Sequence, residues 1–222
     1  MSAQTNQPPG VHAAAHDGPP ALLERLIFFS DAVFAIAITL LVIEIRAPRL
    51  PLHATSSDYW EALLELTPEF GGFLISFFVI GAFWRGHHRV FALAHRWDER
   101  IAMPNLLMLG SIAALPFFTA FMSNNTAGRV PVTLYCVWLL FSGLLNMRLQ
   151  RVVTASPVVD EHAGAERIAF LFERGEAVAL GAGTATICAL VAPFPSLGLI
   201  ALSTIPLWRR LLTHLRRRAR RA

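Results

Sequence analysis

The chain has 222 residues, 55% of them hydrophobic and only 15% charged, with a mean hydropathy of +0.50. A soluble domain carries charge on about a quarter of its residues, so this composition excludes an ordinary water-soluble enzyme and points to an all-α integral membrane protein. The net charge is +4 and the pI near 10, with all 19 basic residues arginine. They flank apolar runs, so they read as membrane topology and lipid contact, and nucleic acid is not an expected partner.

A membrane-crossing helix needs roughly 20 apolar residues, and six such spans use most of the chain. Residues 1–22 lack the basic and apolar regions of a signal peptide and read as a disordered cytoplasmic tail; His12 and His16 lie in it. The remainder, residues 23–213, divides into spans at about 26–45, 68–90, 101–122, 131–149, 170–192 and 196–212. Arg46-Ala47-Pro48, Pro51 and the polar stretch to Asp58 read as the outer loop that follows the first span. Pro116 is expected to kink the third span, and Pro206 falls within the sixth. Glycine and alanine in the fifth suit close helix packing. Residues 214–222 form an arginine-rich cytoplasmic tail. Cys136 and Cys188 both fall inside spans, with no disulfide framework or metal spacing.

With both termini in the cytoplasm, 16 arginines face inside and three, Arg46, Arg49 and Arg129, face outside. That alternation obeys the positive-inside rule and predicts a multi-pass protein of the inner (plasma) membrane. Glu44, with Asp58, Glu61, Glu65 and Glu69 beyond it, would give an acidic outer mouth that concentrates cations.

The first span holds the polar groups of most interest. Asp31, beside Ser30, lies about six residues inside the apolar run. A carboxylate there costs several kcal/mol unless it is partnered or wet. It reads either as a hydrogen-bonded anchor between helices or as a group on an ion or proton path. Ile36, Thr39, Leu40 and Ile43 recur at i, i+3/i+4 and i+7 and share one helix face. Such a face is ordinary packing, or the lining of a pore in a symmetric bundle.

At these residues the chain resembles the transmembrane protein 175 family of lysosomal and endosomal potassium channels and their prokaryotic relatives. The likeness rests on Arg25-x-x-x-Phe29-Ser30-Asp31 running into Ala-Val-Phe-Ala-Ile-Ala-Ile-Thr-Leu-Leu-Val, and on Trp84-x-x-His87-His88 and Asn105 further along. It covers roughly residues 25–122. The resemblance implies a homotetrameric cation channel built from a six-helix bundle, with the first helix lining a central pore and no carbonyl filter. It implies passive, potassium-selective conduction, or weak selectivity with proton permeation. Potassium would pass rings of Ile36 and Thr39, with Leu40 and Ile43 on the same face. Arg25, Phe29, Ser30, Asp31, Trp84, His87, His88 and Asn105 would form a structural polar network. The implied partners are membrane lipid and monovalent cations, and no cofactor is implied beyond the permeant potassium.

A hydrolase or metal site at His87-His88 is disfavoured, because adjacent helical residues point about 100° apart and no nucleophile motif accompanies them. A secondary or proton-coupled transporter using Asp31 and the histidines is the alternative. Against it, no pair of interrupted helices recurs in two halves of the chain.

Overall fold

The computed structural model describes residues 19–159 and 164–219. The expected N-terminal tail lies outside the described residues up to position 18, as does the end of the arginine-rich tail beyond position 219. Among the described residues there are nine α-helices: α1 (Pro19–Ile43), α2 (Ser56–Glu65), α3 (Thr67–Phe91), α4 (Ala102–Ala113), α5 (Leu115–Ser123), α6 (Arg129–Val153), α7 (Ala165–Val191), α8 (Leu197–Ala201) and α9 (Ile205–Ala219). Proline opens several of them. Pro68 and Pro116 sit in the first turns of α3 and α5, where the missing N–H is not needed by the helix.

Among the described residues four stretches are long and apolar enough to cross a membrane: Ala21–Ile43, Thr67–Phe91, Glu99–Ser123 and Arg129–Val153. The third is bent. Pro116 cannot donate to the carbonyl of Ile112, so the helical ladder is interrupted around Ala114 and resumes as α5. α7 is 27 residues long, but its first three turns carry Glu166, Arg167, Glu173, Arg174 and Glu176, which shorten its apolar part.

Two segments differ from the sequence reading. Between the loop expected to reach Asp58 and the span expected from Pro68 stands α2, whose first turn takes up the end of that loop. Thr55 and Asp58 form a capping box in which Asp58 Oδ2 accepts from Thr55 N at 2.7 Å and Thr55 Oγ1 accepts from Asp58 N at 3.4 Å, satisfying two otherwise orphaned amide groups. α2 buries none of its residues and displays Tyr59, Trp60, Leu63 and Leu64. The second difference lies in the expected sixth span. It is broken into α8, a 3₁₀ turn at Leu202–Thr204, and α9, because Pro206 restarts the helix and the arginine-rich sequence continues helical to Ala219.

The core is one apolar cluster in which Phe34, Ala37 and Leu41 of α1 join Ile80 and Phe83 of α3, Met108 and Ile112 of α4, and Leu139 of α6. α7 packs most extensively on α6. It also lies close to the 3₁₀ turn and α9, because a Cβ on Gly181 would collide with Ile205, whose Cα is 3.3 Å from that position. Arg129, at the start of α6, donates to the carbonyls of Ala189 (3.0 Å) and Leu190. It thereby satisfies the C-terminal end of α7, where no intrahelical donor remains.

Candidate functional site

The buried residues of α1 are Leu23, Ser30, Phe34, Ala37 and Leu41, a stripe at helical spacing that faces the bundle. The single hydroxyl in the stripe, Ser30, is fully buried. Asp31 is one residue further round the helix and points to α3 instead. On α3, Trp84 and His88 are four apart and share a face, while His87 projects about 100° away from His88. Two neighbouring residues on each helix therefore serve two separate polar groups.

The inner group is a row across three helices. His87 Nε2 donates to Asn105 Oδ1 at 2.9 Å, Asn105 Nδ2 donates to Ser30 Oγ at 3.0 Å, and Ser30 donates to the Leu26 carbonyl at 2.8 Å. All three side chains are buried. Because Asn105 already donates at its other end, the row requires the Nε2–H tautomer of His87. Phe34 meets the imidazole edge-on at 5.5 Å and Phe91 lies 4.4 Å away. His87 Nδ1 is out of solvent with no hydrogen-bond partner, as an unprotonated nitrogen walled by aromatic rings.

The outer group centres on Asp31. Trp84 Nε1 donates to Asp31 Oδ1 at 3.0 Å, and His88 Nε2 lies 3.0 Å from the same oxygen without hydrogen-bond alignment. The Trp84 and His88 rings meet edge-to-face at 4.8 Å. This group is only half-buried, with 34% of the Asp31 side chain and 42% of that of His88 exposed. Phe29 projects outward and is 51% exposed. Arg25 is on the α1 surface nearer the N-terminus.

Of the other sequence candidates, Ile36 is 58%, Leu40 40% and Ile43 68% exposed. Thr39 is exposed with them, and its hydroxyl donates to the carbonyls of Ala35 and Ile36 at 3.0 and 2.9 Å. That use of its one proton leaves the oxygen lone pairs turned outward. Glu44 is exposed in the turn that ends α1. Among the described residues no group of three or more His, Cys, Asp or Glu side chains could hold a metal ion.

Sequence reasoning missed a second buried polar node. Ser76 of α3 lies 2.9 Å from the Tyr135 hydroxyl of α6 and accepts from Thr119 of α5 at 2.7 Å, while Thr119 also reaches the Leu115 carbonyl at 2.8 Å. A serine or threonine in an apolar helix usually returns its bond to its own backbone, so nothing in the residue pattern flags a three-helix junction. Only the tyrosine, the largest fully buried side chain, was a signal.

The model of the family TMEM175, the endosomal/lysosomal potassium channel, matches residues 25–116, from the polar end of α1 through α3 and α4 to the first turn of α5. A potassium channel of Chamaesiphon minutus is 35% identical over 143 residues, which cover 63% of this chain and 70% of that protein. The chain belongs to the TMEM175 family. This is an ion-channel family and not an enzyme family. A potassium channel of Streptomyces collinus is 37% identical over 115 residues, half of this chain and 54% of the relative's length. The endosomal/lysosomal proton channel TMEM175 of Mus musculus is 26% identical over 172 residues, 70% of this chain but 34% of that protein. The crystal structure of a lysosomal potassium-selective channel TMEM175 homolog from Chamaesiphon minutus superposes with a TM-score of 0.72 at 26% identity, covering 86% of this chain and 97% of that one.

Proposed function

We propose that four copies of this chain form a passive potassium channel whose pore is lined by α1. The observation that carries the reading is the outward side of α1. In the most apolar windows of α1 and α3 alike only 22% of the residues are buried, against 50% for the α4–α5 span, and on α1 the exposed residues include Phe29, Ile36, Leu40 and Ile43, while the Asp31–His88 contact is half-exposed where α1 meets α3. A carboxylate facing lipid costs several kcal/mol, so the flank of α1 that carries Asp31 is expected to face water or another subunit, and the exposed Ile36–Ile43 face, about 130° further round the helix, is the side we assign to the pore. Ile36, Thr39, Leu40 and Ile43 then stack as four-fold rings. The apolar rings can close the pore by dewetting, and Thr39 oxygens can take the place of part of a potassium ion's water shell. The two polar groups behind this face hold α1 against α3 and α4 and do not touch the ion.

The arginine distribution supports a chain with six crossings and both termini in the cytoplasm of a bacterial plasma membrane. α7 and the α8–α9 segment would be the fifth and sixth crossings. The names of the bacterial relatives support potassium as the permeant ion.

The test is flux from proteoliposomes holding purified protein, in potassium and in sodium, with wild type and Ile36→Asn. Wild type should pass potassium down its gradient without a second coupled gradient. Ile36→Asn, by wetting the narrowest ring, should raise conductance and lower selectivity. Flux that saturates and requires a proton gradient would indicate a carrier instead, and unchanged flux in Ile36→Asn would remove that residue from the pore.

A further inference from the structure

Apart from the α1 face, the strongest unexplained chemistry is a line of arginines where α3, α7 and α9 meet at the arginine-rich end of the bundle. One cavity of about 380 Å³ is lined by Arg89, Ala92 and Leu93 with Glu166, Arg167, Phe170 and Leu171. A second, of about 210 Å³, is lined by Arg174, Ala177 and Val178 with Ile205, Pro206 and Arg209. The α7 residues of both recur at intervals of three and four, so the cavities follow one face of that helix. Between them the Arg174 guanidinium lies 5.7 Å from the centre of the Phe170 ring.

Among the described residues the charges here are not balanced. Arg174 feels the like charges of Arg89, Arg209 and Arg85. Among the described residues none of these four, nor Arg167, is in a salt bridge. Arg89 Nη1 is out of solvent and has no hydrogen-bond partner. The nearby acids are otherwise engaged or sparse. Glu173 and Glu176 pair with Arg216 of α9, the latter at 2.7 Å, which leaves Glu166 as the one carboxylate lining either cavity among the described residues. Holding several guanidiniums together at an interface costs energy unless an anion joins them.

We infer that this groove binds an anionic phospholipid. Its phosphate would sit among Arg89, Arg174 and Arg209, and the upper part of an acyl chain would lie on Phe170, Leu171, Ala92 and Leu93. Two features select a lipid over a free phosphate. The cavity walls between the arginines are apolar, and the site stands where α3 leaves its apolar run and α7 enters its own, the depth at which headgroups lie. Basic pockets between helices at this level are a recurrent mode of anionic headgroup recognition. The inference is independent of the pore proposal, because it concerns binding and needs no ion flux.

The test is lipid retention by the purified detergent-solubilised protein, read by native mass spectrometry with phosphatidylglycerol or phosphatidylcholine added. Wild type should retain phosphatidylglycerol preferentially, and Arg89→Gln/Arg174→Gln should lose about fivefold in that preference for each arginine removed. Arg218→Gln, in the tail, should keep it. A second measurement uses Phe170→Trp with every arginine in place. The fluorescence of the added tryptophan should be quenched by brominated phosphatidylglycerol well beyond brominated phosphatidylcholine, and inorganic phosphate at millimolar concentration should not relieve the quenching. Equal quenching by the two lipids, or relief by inorganic phosphate, overturns the proposal, as does an unchanged lipid preference in the double variant.

Discussion

The Asn105 side-chain amide donates to the Ser30 hydroxyl at 3.0 Å, and this one bond ties α4 to α1 at a point where both residues are shut off from solvent. Asn105 is also the acceptor for His87, so its removal leaves the buried His87 Nε2–H without a partner, while Ser30 keeps its bond to the Leu26 carbonyl. Asn105→Leu should therefore destabilise the protein by about 1–3 kcal/mol, roughly one desolvation penalty for the orphaned imidazole N–H. Thermal unfolding in detergent checks this, and a loss no larger than that of an exposed control such as Met103→Leu would contradict it.

The Asp31–Trp84 bond is a separate unit and should behave as one. Trp84→Phe keeps a ring against His88 and removes only the donated N–H, while Asp31→Asn keeps the shape and removes the charge. In a double-mutant cycle the two should couple by about 1 kcal/mol, at the low end for a bond to a charged group because the pair is half-exposed. Neither should couple to Ser30→Ala, although Ser30 is the next residue. Coupling between Asp31 and Ser30 as large as that between Asp31 and Trp84 would merge the two groups.

Gly181 and Gly183 lie two residues apart on α7 with opposite surroundings. A Cβ at 181 runs into Ile205, whereas one at 183 meets nothing within 4 Å. Gly181→Ala should cost about 1–3 kcal/mol by forcing the helices apart. Gly183→Ala should stabilise by about 0.5–1 kcal/mol, the helix preference for alanine. Melting temperatures of the two variants should move in opposite directions.

Asp98 precedes the 3₁₀ turn that leads into α4. Its carboxylate accepts from Arg100 at Nε (3.0 Å), Nη2 (2.8 Å) and the backbone N–H (2.9 Å). The Arg100 guanidinium, followed by that backbone bond, lowers its pKa from an ordinary 3.8 to about 2. A depressed carboxylate stabilises the fold above its unfolded value and loses that contribution as pH falls through the folded one. The stability difference between wild type and Asp98→Asn should thus be constant above about pH 4 and shrink between there and pH 2. A difference that grew on acidification would have the wrong sign.

The sequence disclosed what depends on local pattern. The apolar runs of α1, α3, α4–α5 and α6 are visible as hydropathy, and the interruption near Pro116 follows from backbone chemistry. Around the polar site, the i, i+4 relation of Trp84 and His88 and the divergence of His87 from His88 are helix geometry and needed no coordinates. What the sequence withheld depends on partners far along the chain. The Ser76–Thr119–Tyr135 junction joins residues up to 59 apart, and no single helix shows why its hydroxyl faces another. α2 was hidden for a different reason. Its Thr55–Asp58 cap is a local signal, but a ten-residue amphipathic helix that buries nothing leaves no apolar run to draw notice. The broken sixth segment shows a proline doing locally what a hydropathy average smooths away.

The His87–Asn105–Ser30 row bears on proton movement. A proton wire needs each member to accept a proton on one side and release one on the other, as hydroxyls, water and imidazole do. A carboxamide does neither near neutral pH, because its oxygen only accepts and its nitrogen only donates. The row also ends on a backbone carbonyl, that of Leu26. Asn105 therefore works as an insulator as well as a brace. A proton arriving at the imidazole has no onward hop through this part of the wall, and the joint between α1, α3 and α4 can be polar without leaking.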